Sequence, residues 1–233
     1  MSIVATVNRF FKTQRLIGYA KDLNSDCQKS SSLEELIDTV LSSKKFSLVQ
    51  KRPEILKLVE LVKDLKPKVI CDIGSSGGGT VRLFSQCADS SARILSVDIN
   101  NTSLRQQSFP HLLKDEQKIT VFQGSSYAPE TIAYLKDWLK GEKIDLLFID
   151  GDHSYHGVSQ DYILYSPFVR AGGIIGFHDI VADFKTRFGI ETPAYVGEVP
   201  KFWQELKKQG LKTQEFIENV DQDGFGIGVI FKL

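Results

Sequence analysis

From Lys68 onward the apolar residues fall into short unbroken runs: Val69–Ile73, Ile94–Val97, Ile119–Phe122, Ile144–Ile149 and Gly173–Phe177. Runs with so little polar alternation are typical of strands buried on both faces. Between them lie Val81–Cys87, Ser103–Leu113, Glu130–Leu139 and Gly157–Val169, each with room for a helix. Strands alternating with helices predict right-handed βαβ units, and so a doubly wound α/β fold on a mostly parallel sheet. Upstream the texture is helical. Ser32-Leu33-Glu34-Glu35 is a capping-box pattern opening a segment through Leu41, and Pro53 suits the first turn of a helix carrying Ile55, Leu58, Val59, Val62 and Leu65. Beyond Phe177 the rhythm breaks. A stretch containing Gly and Pro, Val181–Pro200, leads to a helix at Lys201–Lys208, whose Trp203 is expected to pack it on the sheet. Two last runs, Lys212–Ile217 and Gly226–Phe231, are separated by a turn-rich link and are predicted to be antiparallel neighbours.

Composition narrows the function classes. A chain of 233 residues, 42% hydrophobic, can bury the core of one large α/β domain. Lysine plus arginine equals aspartate plus glutamate at 29 each, with no basic run, so no nucleic-acid partner is expected. Cys27, Cys71 and Cys87 match neither a disulfide framework nor a zinc site, and a reducing, cytoplasmic location fits best. The opening residues are interrupted by Asn8, Arg9, Lys12 and Arg15, which leaves neither a signal-peptide core nor a membrane span. A docking helix is expected there, with Phe10 and Phe11 in core or lid packing.

In an open α/β sheet, ligands gather outside the carboxyl ends of the strands. Here those ends read Asp72-Ile73-Gly74-Ser75-Ser76-Gly77-Gly78-Gly79-Thr80, Asp98-Ile99-Asn100, Gly124-Ser125-Ser126, Asp150-Gly151-Asp152-His153 and His178-Asp179. The glycines let main chain approach a ligand, and Asp98, about two dozen residues beyond Gly74, has the spacing of an acid that binds ribose hydroxyls. Ser76 stands where a dinucleotide fingerprint needs glycine, and Asp72 precedes the turn. That acid suits an ammonium better than a pyrophosphate, so NAD loses ground to a cationic adenosine cofactor. An NAD-linked oxidoreductase or epimerase and a non-catalytic binding protein remain the alternatives.

These residues resemble the class I S-adenosylmethionine-dependent methyltransferases. The most specific block, IDLLFIDGDHSYHGVSQDYILYSPFVRAGGIIGFHDI, is similar to the metal-dependent sugar and macrolide O-methyltransferases and the cephalosporin-hydroxylase-like proteins. The closing GFGIGVIFK looks like that family's last strand. The resemblance implies a Rossmann-like, seven-stranded sheet with its last strand reversed. Residues 51–233 would be the S-adenosylmethionine-binding domain, and residues 1–50 a helical extension acting as a lid, docking segment or homo-oligomer contact. It further implies that Asp72, Gly74, Ser75 and Gly77 flank the methionine part of the cofactor, Asp98 the ribose, and Ser125 and Ser126 the adenine side. Asp150, which would also be catalytic and border the cofactor, and Asp179 would hold a divalent metal, magnesium or manganese, that positions a hydroxyl of a small-molecule or glycoside acceptor. His178 stands where such sites often carry another carboxylate or amide, so it is a further metal donor, a group behind the donors or another base. His153, three residues after Asp150, is the candidate general base. Asp152 is expected to cap the following helix and His156 to face solvent.

Overall fold

The computed structural model describes residues 3–233. Three helices open the chain: α1 (Ile3–Lys29), α2 (Leu33–Leu41) and α3 (Arg52–Leu65). The alternating part follows as β1 (Val69–Ile73), α4 (Gly79–Cys87), β2 (Arg93–Asp98), α5 (Ser103–Ser108), β3 (Lys118–Gln123), α6 (Pro129–Leu139), β4 (Ile144–Ile149), α7 (Tyr155–Tyr165) and β5 (Val169–His178). The chain closes with α8 (Phe184–Phe188), α9 (Val199–Lys207), β6 (Thr213–Phe216) and β7 (Ile227–Phe231). The seven strands form one sheet in the order β3-β2-β1-β4-β5-β7-β6. Strands β1 to β5 are parallel, whereas β7 runs antiparallel to both β5 and β6. This is the doubly wound sheet with a reversed last strand.

Each face of the sheet has its own core. Ile70, Ile94, Leu146 and Phe148 point to the side packed by α1 to α4, and Cys71, Leu95, Leu147 and Ile149 to the side packed by α6, α7 and α9. Two-sided burial is why these strands read as unbroken apolar runs. The last helix is pinned by Trp203, 0% exposed, whose ring lies over Gly228 and whose indole N–H donates to Glu215 at 2.6 Å.

Several element boundaries differ from the sequence pattern, for identifiable reasons. Helix α5 stops at Ser108 and continues as a single 3₁₀ turn, Phe109–Leu112, where Pro110 has no N–H to give. Strand β5 begins at Val169, not Gly173; Arg170 breaks the apolar run, but its guanidinium pairs with Asp145 at 2.5 Å beside an irregularity in the β4–β5 register. Helix α7 starts at Tyr155, and its cap is Ser154, which accepts from the Gly157 N–H. Asp152 is therefore not the cap; it accepts from the Ser154 N–H and the Tyr127 hydroxyl, at 2.9 Å each. His156 does face solvent. Phe10 and Phe11 are 58% and 64% exposed, not packed, because α1 turns Thr13, Ala20, Leu23 and Cys27 inward.

The turn before β7 is anchored by one buried acid. Glu54 on α3 is 1% exposed and accepts from the N–H of Gly226 (2.9 Å), the N–H of Glu218 (3.2 Å) and the Gln222 amide (2.8 Å). Replacing it by Leu removes the acceptor of the Gly226 and Glu218 N–H groups and leaves the Gln222 amide only the Gly224 carbonyl. Glu54→Leu should therefore lower unfolding free energy by about 3 kcal/mol in a urea titration. A loss below about 1 kcal/mol would mean that the turn holds without this carboxylate.

Candidate active site

The carboxyl ends of β1 to β5 converge on one edge. There a cavity of about 560 Å³ opens, lined among others by Gly74, Asp98, Ser125, Ser126, Asp150 and His153. The remaining predicted cofactor residues lie outside its wall. Asp72 is fully buried, Ser75 shares a 2.6 Å hydrogen bond with the Ser96 hydroxyl, and Gly77 backs onto Ser47, whose Oγ would be 2.3 Å from a Cβ there. The tightest crossing is at Gly74. Its φ is +79°, and a Cβ would sit 1.8 Å from the Asp150 carbonyl oxygen, so the β1 turn and the β4 end touch main chain to main chain.

Asp98 is held by backbone. Its Oδ2 accepts from the Ser76 N–H at 2.8 Å and its Oδ1 from the Asn100 N–H at 2.7 Å, which leaves further lone pairs on a carboxylate that lines the cavity. Asp72 accepts from the Thr80 hydroxyl at 2.7 Å through Oδ2, while Oδ1 has no partner. Burial pushes its pKa up to about 7, opposed by the Thr80 bond and aided by the charge on Asp150. A buried acid with an orphaned oxygen is a site for an N–H donor.

The ionisable residues after β4 and β5 form one cluster. One donor atom each from Asp150, His153 and Asp179 lies within 4.8 Å of the others. His153 Nε2 is 3.7 Å from Asp150 Oδ1 and 3.5 Å from Asp179 Oδ2. Its Nδ1 is 3.0 Å from the Tyr195 carbonyl oxygen, which can only accept, so Nδ1 carries the hydrogen and Nε2 turns to the two acids. His178, 4% exposed, lies beside the same pair, with Nδ1 at 3.2 Å from Asp150 Oδ1 and 3.4 Å from Asp179 Oδ2. Burial opposes charge on His178, but Asp150 and Asp179 outweigh it and push its pKa up to about 10. Burial likewise opposes charge on His153, and the same two acids raise it. For Asp150, burial raises the pKa, and the facing His178 and His153 reverse that to a net lowering. Asp179 itself sits at φ +60°, a left-handed conformation uncommon outside glycine, which aims its carboxylate at this cluster.

Residues 71–180 match a family model described as a methyltransferase domain. That match spans β1 to the end of β5, the part of the chain that builds the edge just described. Solved structures carry the same fold along most of the chain. An O-methyltransferase from Bacillus cereus, in complex with SAH, superposes with a TM-score of 0.60 at 16% identity over 88% of this chain and 92% of that one. A candidate caffeoyl-CoA O-methyltransferase from Staphylococcus aureus gives 0.62 at 18% identity, over 96% and 100%. The O-methyltransferase TomG from Streptomyces achromogenes, involved in tomaymycin synthesis and in complex with SAM, gives 0.54 at 12% identity, over 88% and 92%. Among curated sequences, an uncharacterized protein of Acanthamoeba polyphaga mimivirus is 56% identical over 36 residues, 16% of either chain.

Two site residues are not flagged by any motif. Gln50, 4% exposed, donates from Nε2 to Asp150 Oδ2 at 2.7 Å across 100 residues of sequence. Tyr195 lines the cavity, stacks on the His153 ring at 5.7 Å between centroids, and supplies the carbonyl that orients it. The only signal for Gln50 is its place just ahead of Pro53, and for Tyr195 its place in the long stretch after β5.

The Gly74 crossing gives the sharpest test of this geometry. Gly74→Ala meets both a backbone clash and the wrong φ, so it should cost more than about 2 kcal/mol in urea unfolding. A fully stable variant would mean that the two strand ends are farther apart.

Proposed function

We propose that this methyltransferase binds S-adenosylmethionine in the 560 Å³ cavity and methylates a hydroxyl of a sugar or other natural product, with a divalent cation held by Asp150 and Asp179. The observation that carries the reading is the convergence of two carboxylates and an oriented imidazole where the cavity meets the ends of β4 and β5. The donor set fits both groups: hard oxygen donors for magnesium or manganese, and for the cofactor a ribose-directed acid at Asp98 with an orphaned acid oxygen at Asp72. When bound, the cofactor supplies an electrophilic methyl group and the cation supplies a Lewis acid that lowers the acceptor's pKa.

The chain's own side chains do the rest. Gln50 occupies Asp150 Oδ2 and leaves Oδ1 toward the cluster, while His178 steadies both acids from a buried position. His153 keeps its Nδ1 hydrogen on the Tyr195 carbonyl, so neutral His153 presents the Nε2 lone pair to the site and can take the acceptor's proton there. Asp150 and Asp179 then face the imidazolium that results. An Nε2 that ligates the cation cannot also accept a proton, so the two roles exclude one another. We assign the proton to His153. Residues 1–50 act in this reading as a docking segment: α1 lies against α5, the turn at Phe109–Leu112, α2 and α4.

The assignments separate experimentally. Asp98→Ala should weaken S-adenosylmethionine binding by about 1–3 kcal/mol in calorimetry. An unchanged affinity would remove Asp98 from the cofactor site. EDTA should abolish methyl transfer and magnesium or manganese restore it, with Asp179→Ala resisting rescue; full turnover in chelator rejects the cation. His153→Ala should lower kcat by about 10²–10⁴-fold while metal affinity stays within about threefold. Loss of metal binding as severe as in Asp179→Ala would make His153 a ligand instead.

A further inference from the structure

Helix α1 carries two faces, and the domain uses only one of them. Thr13, Ala20, Leu23 and Cys27 recur at helical spacing and are buried against the fold. Arg9 lies on the same side, four residues ahead of Thr13, and its guanidinium donates to the Ser103 hydroxyl on α5. Ahead of Thr13 the burial stops. Val7 to Lys12 are six successive exposed residues, more than a full turn, so the helix here stands clear of the domain and is tethered by the Arg9 side chain. Within this stretch Val7, Phe10 and Phe11 are spaced i, i+3 and i+4, which puts them on one face, 45%, 58% and 64% exposed. At about 100° per residue, that face lies roughly 150° round the helix from the buried one. The domain offers these side chains nothing to pack against.

The charges around this face have one sign. Residues 1–21 contain Arg9, Lys12, Arg15 and Lys21 and no aspartate or glutamate, in a chain whose totals balance. Lys12 and Arg15 are exposed, and helical spacing sets them on the flank between the two faces. Their long stems can lie along an apolar surface while the charged ends reach out to anions. Aromatic rings on one face of a helix with cations beside them match the boundary of an anionic lipid surface, where acyl chains take the rings and headgroup phosphates the cations. Such a helix lies on the surface and does not cross it. Among the described residues, no helix is long and apolar enough to span a membrane.

Two other occupants fit this face less well. A second copy docked through it about a two-fold axis would bring Lys12 and Arg15 of both chains together, with no acid before Asp22 to offset them. A folded protein partner needs a shaped patch of about 800 Å² a side, and three apolar side chains on a projecting helix fall short of that. A fluid lipid surface instead adapts to a convex helix. Ser103 opens α5 just beyond the carboxyl end of β2, where Asp98, Ile99 and Asn100 line the cofactor cavity. The projecting turns therefore stand at the ligand edge of the sheet. We propose that the start of α1 is a peripheral membrane anchor, which lays Val7, Phe10 and Phe11 into the headgroup boundary of an anionic bilayer and sets Lys12 and Arg15 on lipid phosphates. Docking there brings the ligand edge to the bilayer. The proposal goes beyond methyl transfer and does not depend on it.

The test is co-sedimentation of the full chain with vesicles of phosphatidylcholine alone and of phosphatidylcholine mixed with phosphatidylserine. The native chain should bind the mixed vesicles about tenfold more tightly or better, and added salt should weaken that binding. The double variant Phe10→Ser/Phe11→Ser should lose about tenfold or more in affinity, and Lys12→Glu/Arg15→Glu should abolish the preference for phosphatidylserine. All four side chains are exposed, so both variants should unfold thermally as the native chain does. Should either fold poorly, Phe11→Trp gives a second reading: its fluorescence, taken as the difference from the native chain, should shift to the blue with mixed vesicles and be quenched by brominated acyl chains. Equal binding to both kinds of vesicle, binding to neither, or binding indifferent to both double variants overturns the proposal. So does a dimer, formed without vesicles, that the Phe10/Phe11 substitutions abolish, because the face would then belong to a second copy.

Discussion

The Asp150 carboxylate is the point through which the site is assembled. A charge largely withdrawn from water must be matched by hydrogen-bond donors or opposite charge, or it neutralises. Asp150 is matched on both oxygens by groups from distant parts of the chain: Gln50 from the segment before α3 on Oδ2, and His178 from the end of β5 on Oδ1, with His153 facing it at 3.7 Å. Its main chain carries a comparable load. The Asp150 N–H donates to the Ile73 carbonyl at 2.9 Å, and its own carbonyl occupies the space that a side chain at Gly74 would need. One residue thus sets the spacing between the turn after β1, the acids at the ends of β4 and β5 and the N-terminal segment. A shift at any of these elements is felt at the others through a buried ion and a backbone contact, neither of which yields cheaply.

What was legible in the sequence follows from the range of the interactions involved. Strands β1, β2 and β4 could be read because both faces are buried, so apolar identity alone marks them, whereas β3 is a half-buried edge strand. The ligand edge could be read because strand ends that approach a ligand need small or acidic residues, and Gly74, Asp98, Asp150 and Asp179 all stand at such ends. Local capping was less legible: Asp152 and Ser154 are both good N-cap residues two positions apart, and only the fold decides that Ser154 bonds the Gly157 N–H. The least legible contacts are long-range and involve main chain. Nothing about glutamine at position 50 announces a partner 100 residues away, and the Tyr195 carbonyl that fixes the His153 tautomer belongs to no side-chain pattern. Phe10 and Phe11 illustrate the opposite error: adjacent aromatics on a helix can both be buried, as Phe202 and Trp203 are on α9, but here both face outward.

The division between fold and specificity has the same origin. Neighbours at 12–18% identity share this sheet because its requirements are generic, namely apolar strands, glycine at the first crossing and acids at the edge. The stretch after β5, the segment before α3 and the turn before β7, which together line a cleft of about 480 Å³ around Lys51, Ala194 and Phe225, lie outside those requirements. Such segments can change composition without disturbing the strands, provided that a few anchors hold them. Here the anchors are Glu54 under the turn before β7 and the N–H groups of Ile180 and Val181 bonding its carbonyls. Because Asp179 precedes Ile180 directly, the residue aimed at the cluster and the turn that displays Phe225 are braced by adjoining peptide groups. The chain therefore fixes this turn to the carboxylate of Asp179 through backbone, which lets the side chains on the turn vary while its distance from the ionisable cluster does not.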